Sequence, residues 1–390
     1  MNPDDIPEPD RIEGAPHPRE TLRLLGQEAA EKAFLSAYNS GRMHHGWLIT
    51  GPRGVGKATM AWRIARFLIA TPPEVEGGLF GAPPVPDTLD IPVDHPVARR
   101  MQSGAEPGLF LLRRGGMGST EKDRDKNRRE GKFSKVIRVD ETREMKGFFS
   151  LSATEGGRRV VIVDAADDLN VNAANSILKL LEEPPARTIL LLIAHQPSRL
   201  LPTIRSRCRE LRLSPLSPEL VHDALIQADI TPKGGLDSDP KALAELAKGS
   251  VGEAVRMVAL DGPKLYAGLV ALLSSMPRFD AGRAQALADL AAARGGEEQR
   301  ALIFHLIDFA LARLARAGAT GQIPPIEAAP GEAEMLARLS PTPAAGRAWA
   351  SGAEEIGARL RHGEAVNLDP AALILDTVFK LQAIAGGRAA

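Results

Sequence analysis

Residues 51–58 read Gly51-Pro52-Arg53-Gly54-Val55-Gly56-Lys57-Ala58 and follow a short apolar run, Trp47-Leu48-Ile49-Thr50. Glycines at 51, 54 and 56 let a backbone turn tightly and aim N–H groups at a polyphosphate. Lys57 adds a point charge, and the helix expected after it adds the positive end of its dipole. The pattern is a phosphate-binding loop, G-x-x-x-x-G-K-[ST], broken at its last position. Ala58 has no hydroxyl with which to hold magnesium. Thr59 is grouped with the loop's nucleotide-facing residues, yet it stands one residue late and points to another side of the helix.

Two further stretches bear on phosphoryl chemistry. In Arg158-Arg159-Val160-Val161-Ile162-Val163-Asp164-Ala165 a fully apolar run ends in Asp164, the place where an acid assists the metal in proteins of this chemistry. The next position, where an acidic group would prepare the attacking water, is Ala165. Asp167 and Asp168 lie two and three residues too far on and are expected to cap the following helix. Losing a positioned base costs ~10²–10⁴ in rate, and the metal defect adds to it. The loop is therefore expected to bind ATP or ADP without hydrolysing it and not to hold magnesium normally. The other stretch is Thr203-Ile204-Arg205-Ser206-Arg207-Cys208-Arg209. Arginines spaced by two share one side of an extended chain, either as a solvated ladder or as a donor that reaches a neighbour's γ-phosphate through a planar, always-charged fork.

The surrounding pattern supplies elements to position these groups. A helix is expected over 27–38 with Ala30, Ala33, Phe34 and Ala37 on one face, then a strand over 47–50 and a helix over 57–70 closed by Thr71-Pro72-Pro73. Apolar runs at 160–163 and from Thr188 suit strands buried on both faces of a parallel sheet. The stretch 172–181 has helical spacing and stops at Pro184-Pro185. Residues 135–150 read as a strand followed by a helix. Strand and helix alternate as in an α/β domain. Residues 1–20, acidic and proline-punctuated, are expected to be a mobile tail. Residues 72–132 read as an insert in the 21–213 core, and their mixed-charge run 121–132 as a solvated loop. A linker at 214–218 leads into short helices over 214–261, and 262–390 reads as longer amphipathic helices. One of these covers 300–318, and another is capped by Asp369 with Pro370 in its first turn.

Composition bounds the alternatives. Among 390 residues, Lys plus Arg and Asp plus Glu number 49 each, so no global basic field draws the chain to nucleic acid. A single cysteine, Cys208, leaves no disulfide framework and no four-cysteine zinc module. No secretory signal and no run of about 18 apolar residues is legible, so a cytoplasmic protein without a membrane role is expected. The histidines have no metal spacing, and no metal site is expected.

The order of 44–68, 158–185 and 190–213 resembles AAA+ ATPases of the bacterial clamp-loader group, and within it the delta-prime type. The most specific pieces are Ser206-Arg207-Cys208 after Leu200-Leu201-Pro202-Thr203-Ile204-Arg205, and Asn172-Ala173-Ala174-Asn175-Ser176-Ile177-Leu178-Lys179-Leu180-Leu181-Glu182-Glu183. The resemblance implies a P-loop AAA+ core with a parallel sheet flanked by helices (21–213), a small helical lid domain (214–261) and an all-α collar domain (262–390). It implies a non-hydrolysing subunit that joins gamma/tau and delta subunits in a hetero-pentameric ring. That ring loads the sliding clamp onto primer-template DNA as part of the DNA polymerase III holoenzyme, a DNA-directed DNA polymerase. Arg207 becomes the arginine finger acting in trans. The group's G-S-x-R-[DE]-A element reads Gly249-Ser250-Val251-Gly252-Glu253-Ala254 here, with Gly252 in the arginine's place, and Ala194-His195-Gln196 blurs its polar sensor. The zinc module of many clamp-loader subunits is missing, its place taken by the insert. The alternative, an active gamma/tau-like motor ATPase, has Ala58, Ala165 and Gly252 against it. Lys179 is the candidate for a phosphate-backbone contact with DNA.

Overall fold

The computed structural model describes residues 7–71, 85–150, 157–230 and 240–387. It divides into two compact units, Met1–Leu220 with Ser250–Gly252, and Val221–Gly249 with Glu253–Ala390.

The first unit carries the elements α1 (Glu28–Asn39), β1 (Gly46–Thr50), α2 (Lys57–Ala70), α3 (Pro96–Gln102), β2 (Leu109–Arg113), α4 (Glu121–Arg129), α5 (Val139–Ser150), β3 (Arg159–Asp164), α6 (Val171–Glu182), β4 (Thr188–Ile193), α7 (Pro202–Arg205) and β5 (Arg209–Arg212). The five strands form one sheet in the order β2-β3-β4-β1-β5, and every pair is parallel. β1 and β4 are buried at every position, because helices cover both faces and a parallel sheet needs apolar residues all along. Leu48, Val161, Val163, Leu190 and Leu192 pack with Ile177 and Leu181 of α6 on one face. Strand ends carrying Thr50, Asp164 and Ile193 thus lie side by side.

Several expectations need correction. The stretch read as an insert supplies a core strand: β2 pairs with β3 from Leu109↔Val160 to Arg113↔Asp164. The mixed-charge run is helical. Its helix, α4, buries no residue and is capped by the Thr120 hydroxyl accepting from the Asp123 N–H, so solvation was read correctly and conformation was not. Residues 72–84, the Pro/Gly-dense start of that stretch, lie outside the described residues. The strand expected near 135 reduces to one bridge, Ile137 to Leu169, before α5. In α1 the buried face includes Leu35 where Ala33 was expected. Residues 7–20, read as tail, are packed: His17 is fully buried, and the α2 arginines Arg63 and Arg66 donate to the carbonyls of Leu22 and Arg19. The 214–218 linker is pinned where Gln27 donates to the Ser214 carbonyl and accepts from its N–H.

The second unit is all-helical among its described residues, with α8 (Pro218–Gln227), α9 (Pro240–Leu246), α10 (Val251–Ala259), α11 (Gly262–Ser275), α12 (Ala281–Ala292), α13 (Glu297–Thr320), α14 (Glu332–Leu339), α15 (Pro343–Ala365) and α16 (Pro370–Ala385). Most of the lid and collar stretches fall in it together; Ser214–Leu220 and Ser250–Gly252 pack with the first unit. α13 and α15 cross where only glycine fits: a Cβ on Gly346 would stand 2.6 Å from the Ala319 nitrogen. A buried knot joins Arg313 to Glu332 at 2.8 Å, with the Tyr266 hydroxyl donating to the same carboxylate. Asp369 caps α16 as expected. No single described helix is long and apolar enough to cross a membrane.

Candidate nucleotide site and arginine element

The loop after β1 turns through three left-handed glycines, Gly51 (φ +136°), Gly54 (φ +77°) and Gly56 (φ +96°), the last starting α2. A side chain at any of them is both strained and crowded. A Cβ on Gly51 would lie 2.5 Å from the Leu213 carbonyl oxygen, and one on Gly56 2.5 Å from Leu24 Cδ1. Lys57 is buried, and its ammonium donates to the loop's own carbonyls, Gly51 O at 2.8 Å and Pro52 O at 2.6 Å. Burial pushes the Lys57 pKa down to about 8, opposed by the charges of Asp164 and Asp167. The cradle exists, with its lysine folded back onto it.

The Gly252 position explains itself. Its N–H donates to the Gly54 carbonyl at 3.0 Å. A Cβ there would stand 2.9 Å from Gly54 Cα and 2.9 Å from Ile12 Cδ1. Backbone is packed on backbone where the clamp-loader pattern has an arginine side chain.

Asp164 ends β3 beside Arg113 of β2. Burial, reinforced by the neighbouring Asp10 charge, raises its carboxyl to about 7, with Lys57 opposing. Neither Ala58 nor Ala165 supplies an oxygen beside Asp164 to complete a magnesium donor set. The residues present do not fit a magnesium ion. Asp167 does not cap a helix as expected: its carboxylate accepts from the N–H groups of His195 (3.0 Å) and Gln196 (3.1 Å), tying the β3 exit to the β4 exit. The cap of α6 is Asn170, which accepts from the Ala173 N–H.

Two groups take their place in the site only through the fold. His195, of the Ala194-His195-Gln196 stretch at the sensor position, follows β4 and half-buries its ring. Burial first and the Lys57 charge second push its pKa down to about 4, so it is neutral at physiological pH. Its position two residues past Ile193, the last residue of β4, is the signal in the sequence. The other group is acidic. Arg113 Nη1 meets Asp10 at 2.5 Å and Glu8 at 3.0 Å, Arg19 meets Glu8 at 2.8 Å, and His17 Nε2 lies 3.2 Å from Asp10. Burial raises the Asp10 carboxyl, but the His17 hydrogen bond and the Arg113 charge outweigh it and hold the pKa below the usual value. The ligand atoms of Glu8, Asp10 and His17 lie within 4.8 Å of one another. Guanidinium groups already engage both carboxylates, so the cluster is an ion-pair network.

The arginine element differs from the extended ladder expected of it. Arg205 closes α7, Ser206 is still helical, and Arg209 opens β5, a strand beyond the one taken as last. Arg207 lies between them, about two-fifths exposed. It donates to the Thr203 carbonyl at 3.1 Å and pairs with Glu182 of α6 at 3.0 Å. Its backbone rests on Gly46, where a Cβ would meet the Arg207 carbonyl oxygen at 3.1 Å and Cys208 Sγ at 3.3 Å. Burial pushes the Cys208 thiol up to about 12, so it packs and does not react. β5 pairs with β1 from Trp47↔Arg209 to Thr50↔Arg212. Arg207 thus sits at the start of β1 and the phosphate loop at its end, about 17 Å apart along the backbone at 3.3 Å per residue. Thr59 and Ala58 are half-buried in the first turn of α2, and Lys179 is exposed on α6.

The family described as DNA polymerase III, delta subunit matches residues 26–217. DNA polymerase III subunit delta' of Pseudomonas aeruginosa is 37% identical over 164 residues, 42% of this chain and 41% of that protein. The Bacillus subtilis delta' is 31% identical over 206 residues, 53% of each chain. The Escherichia coli delta' is 28% identical over 314 residues, 79% of this chain and 81% of that one. The chain spans about half the length of the first two relatives. With the strand–loop–helix order and the Ser206-Arg207-Cys208 element inside the matched region, residues 26–217 are similar to the delta-prime clamp-loader subunits of bacterial DNA polymerase III.

Proposed function

We propose that this chain is a non-hydrolysing subunit of a clamp loader, which helps place a sliding clamp on primed DNA and lends Arg207 to the nucleotide of an adjacent motor subunit. The observation that carries this reading is the length of β1 between Arg207 and the chain's own phosphate loop. With the Arg207 backbone about 17 Å from the chain's own loop and its guanidinium engaged by Glu182 and Thr203, the group suits a phosphate held by another molecule. The hydrolytic groups are missing in parallel: no hydroxyl at Ala58, no acid at Ala165, backbone packing at Gly252 and a neutral His195 after β4.

In this reading the neighbour's γ-phosphate competes with Glu182 for Arg207. Developing negative charge in phosphoryl transfer favours the exchange, because the exposed Arg207–Glu182 pair is weak and a bidentate guanidinium–phosphate contact is strong. Helices of the second unit are assigned to contacts with gamma/tau-like and delta-like partners, and DNA contact is to backbone phosphate, with Lys179 the candidate. Placement in the cytoplasm belongs to the same proposal.

The test is to mix the purified chain with cognate motor and clamp-opening subunits and weigh the complex by native mass spectrometry. A five-membered assembly holding one copy is expected, as is phosphate release at background by the chain alone. A chain that hydrolyses ATP by itself at a motor's rate, or that never enters an assembly, sinks the proposal.

A further inference from the structure

The segment 8–12 does not hang free of the phosphate loop. At one end the Pro9 carbonyl accepts from Arg114 at 3.0 Å, and Glu8 and Asp10 grip Arg113, the last residue of β2. At the other end Ile12 touches Gly252, which itself lies on Gly54 of the loop. In the sheet, β2 and β1 are separated by β3 and β4. Three inter-strand steps of ~4.8 Å make about 14 Å. Residues 8–11 make a turn, the Arg11 N–H donating to the Glu8 carbonyl at 3.3 Å, and the side chains of Glu8, Asp10 and Ile12 bridge that distance. Asp10 lies near enough to Asp164, at the carboxyl end of β3, for its charge to act on that carboxyl, so the segment lies over the strand ends where open parallel sheets receive ligands.

What holds it there is buried and specific. His17 is fully buried, stacks edge-on against Trp62 of α2 at 5.6 Å and contacts Asp10 at 3.2 Å. Arg66 of α2 donates to the Arg19 carbonyl at 2.7 Å, and Arg63 to that of Leu22. Leu24 packs so closely on Gly56 that a Cβ there would be 2.5 Å from it. The helix that follows the phosphate loop is thus also the anchor of the segment lying over it.

We infer that residues 8–12 are a built-in cover for the phosphate loop, with Asp10 setting a fixed carboxylate over the crevice and Ile12 closing its loop side, so that a nucleoside triphosphate must displace this segment to reach Lys57. Two effects oppose a nucleotide. Ile12 occupies the space beside the loop, and Arg113 at the end of β2 is already paired with Glu8 and Asp10 and so is withheld from a polyphosphate. The apparent affinity falls by the fraction of molecules with the segment lifted. This goes beyond the proposal for Arg207 and is independent of it, since Arg207 lies at the other end of β1.

The test uses the full chain and a fluorescent ATP analogue, titrated with EDTA present because the site does not fit magnesium. Glu8→Gln with Asp10→Asn keeps shape and removes both charges, and Ile12→Ala removes the apolar contact without touching the ion network. Each is expected to bind the analogue at least tenfold more tightly than the parent, with melting temperature checked by circular dichroism. Should the double variant fail to fold, Ile12→Ala carries the same expected direction. Hydrogen exchange adds a second reading: the Arg11 amide, which donates to the Glu8 carbonyl, should exchange slowly in the parent and faster in Ile12→Ala. Equal affinity in parent and variants, whether tight or absent, overturns the inference, as does fast exchange at Arg11 in the parent.

Discussion

Adding one methyl group at Gly252 probes the contact that replaces the arginine of the clamp-loader pattern. In Gly252→Ala the new Cβ is placed 2.9 Å from Gly54 Cα and 2.9 Å from Ile12 Cδ1, against a comfortable carbon–carbon separation of about 3.5–4.0 Å. The Ile12 methyl can rotate away. Gly54 cannot, because it is backbone, sits at φ +77° and accepts the Gly252 N–H at 3.0 Å. Overpacking of this kind costs about 1–3 kcal/mol. For a unit of this size a kcal/mol moves the midpoint by ~2–4 °C, so thermal unfolding of the full chain should show a transition lowered by about 2–12 °C. Gly147→Ala in α5 is the control. A Cβ there meets nothing within 4 Å, and alanine in a helix gains ~0.5–1 kcal/mol. A Gly252→Ala variant that melts with the parent or above it refutes the packing argument. Gly252→Arg starts from the same Cβ and should therefore not install ATPase activity.

Other consequences can be measured on the same protein. Asp164, raised to about 7, makes stability fall as pH rises from about 4 to 7, because the folded state keeps the proton longer. His195, depressed to about 4, acts oppositely: its contribution is present above about 6.5 and is lost as pH falls toward 4. In urea titrations between pH 4 and 6.5, Asp164→Asn should gain stability with rising pH relative to the parent, and His195→Gln should lose it; matching slopes contradict both assignments. The Cys208 thiol, pushed up to about 12 by burial, should resist iodoacetamide at pH 8 until the chain is unfolded, and rapid alkylation of the native protein would show it lies open.

How much was legible depended on the kind of signal. β1, β3 and β4 announced themselves because strands buried on both faces must be apolar throughout, as in 160–163. β2 was hidden: Leu109–Arg113 is five residues long, three of them leucine, in a stretch whose charge and glycine suggested an insert. β5 was hidden for a different reason, since Arg209, Glu210 and Arg212 face outward from an edge strand and only Leu211 is buried. The phosphate loop and the Arg207 element stand out in the sequence because glycine spacing and a guanidinium are chemistry written locally. Asp10 and His17 do not, because what gives them meaning is Arg113 and Trp62, about a hundred and about forty-five residues further along the chain. His195 needed the fold to bring β4 beside the loop. Long-range pairing, above all, was the unreadable part.

The most direct test of the account is ATP turnover by a reconstituted assembly carrying Arg207→Ala, at equal assembly by mass, with Arg207→Lys beside it. The account predicts that DNA-stimulated phosphate release falls by at least tenfold with the alanine, that lysine restores little because it lacks the planar fork, and that the ring forms normally in both. Unchanged turnover in a fully assembled ring, or a ring that does not assemble without this arginine, would contradict it.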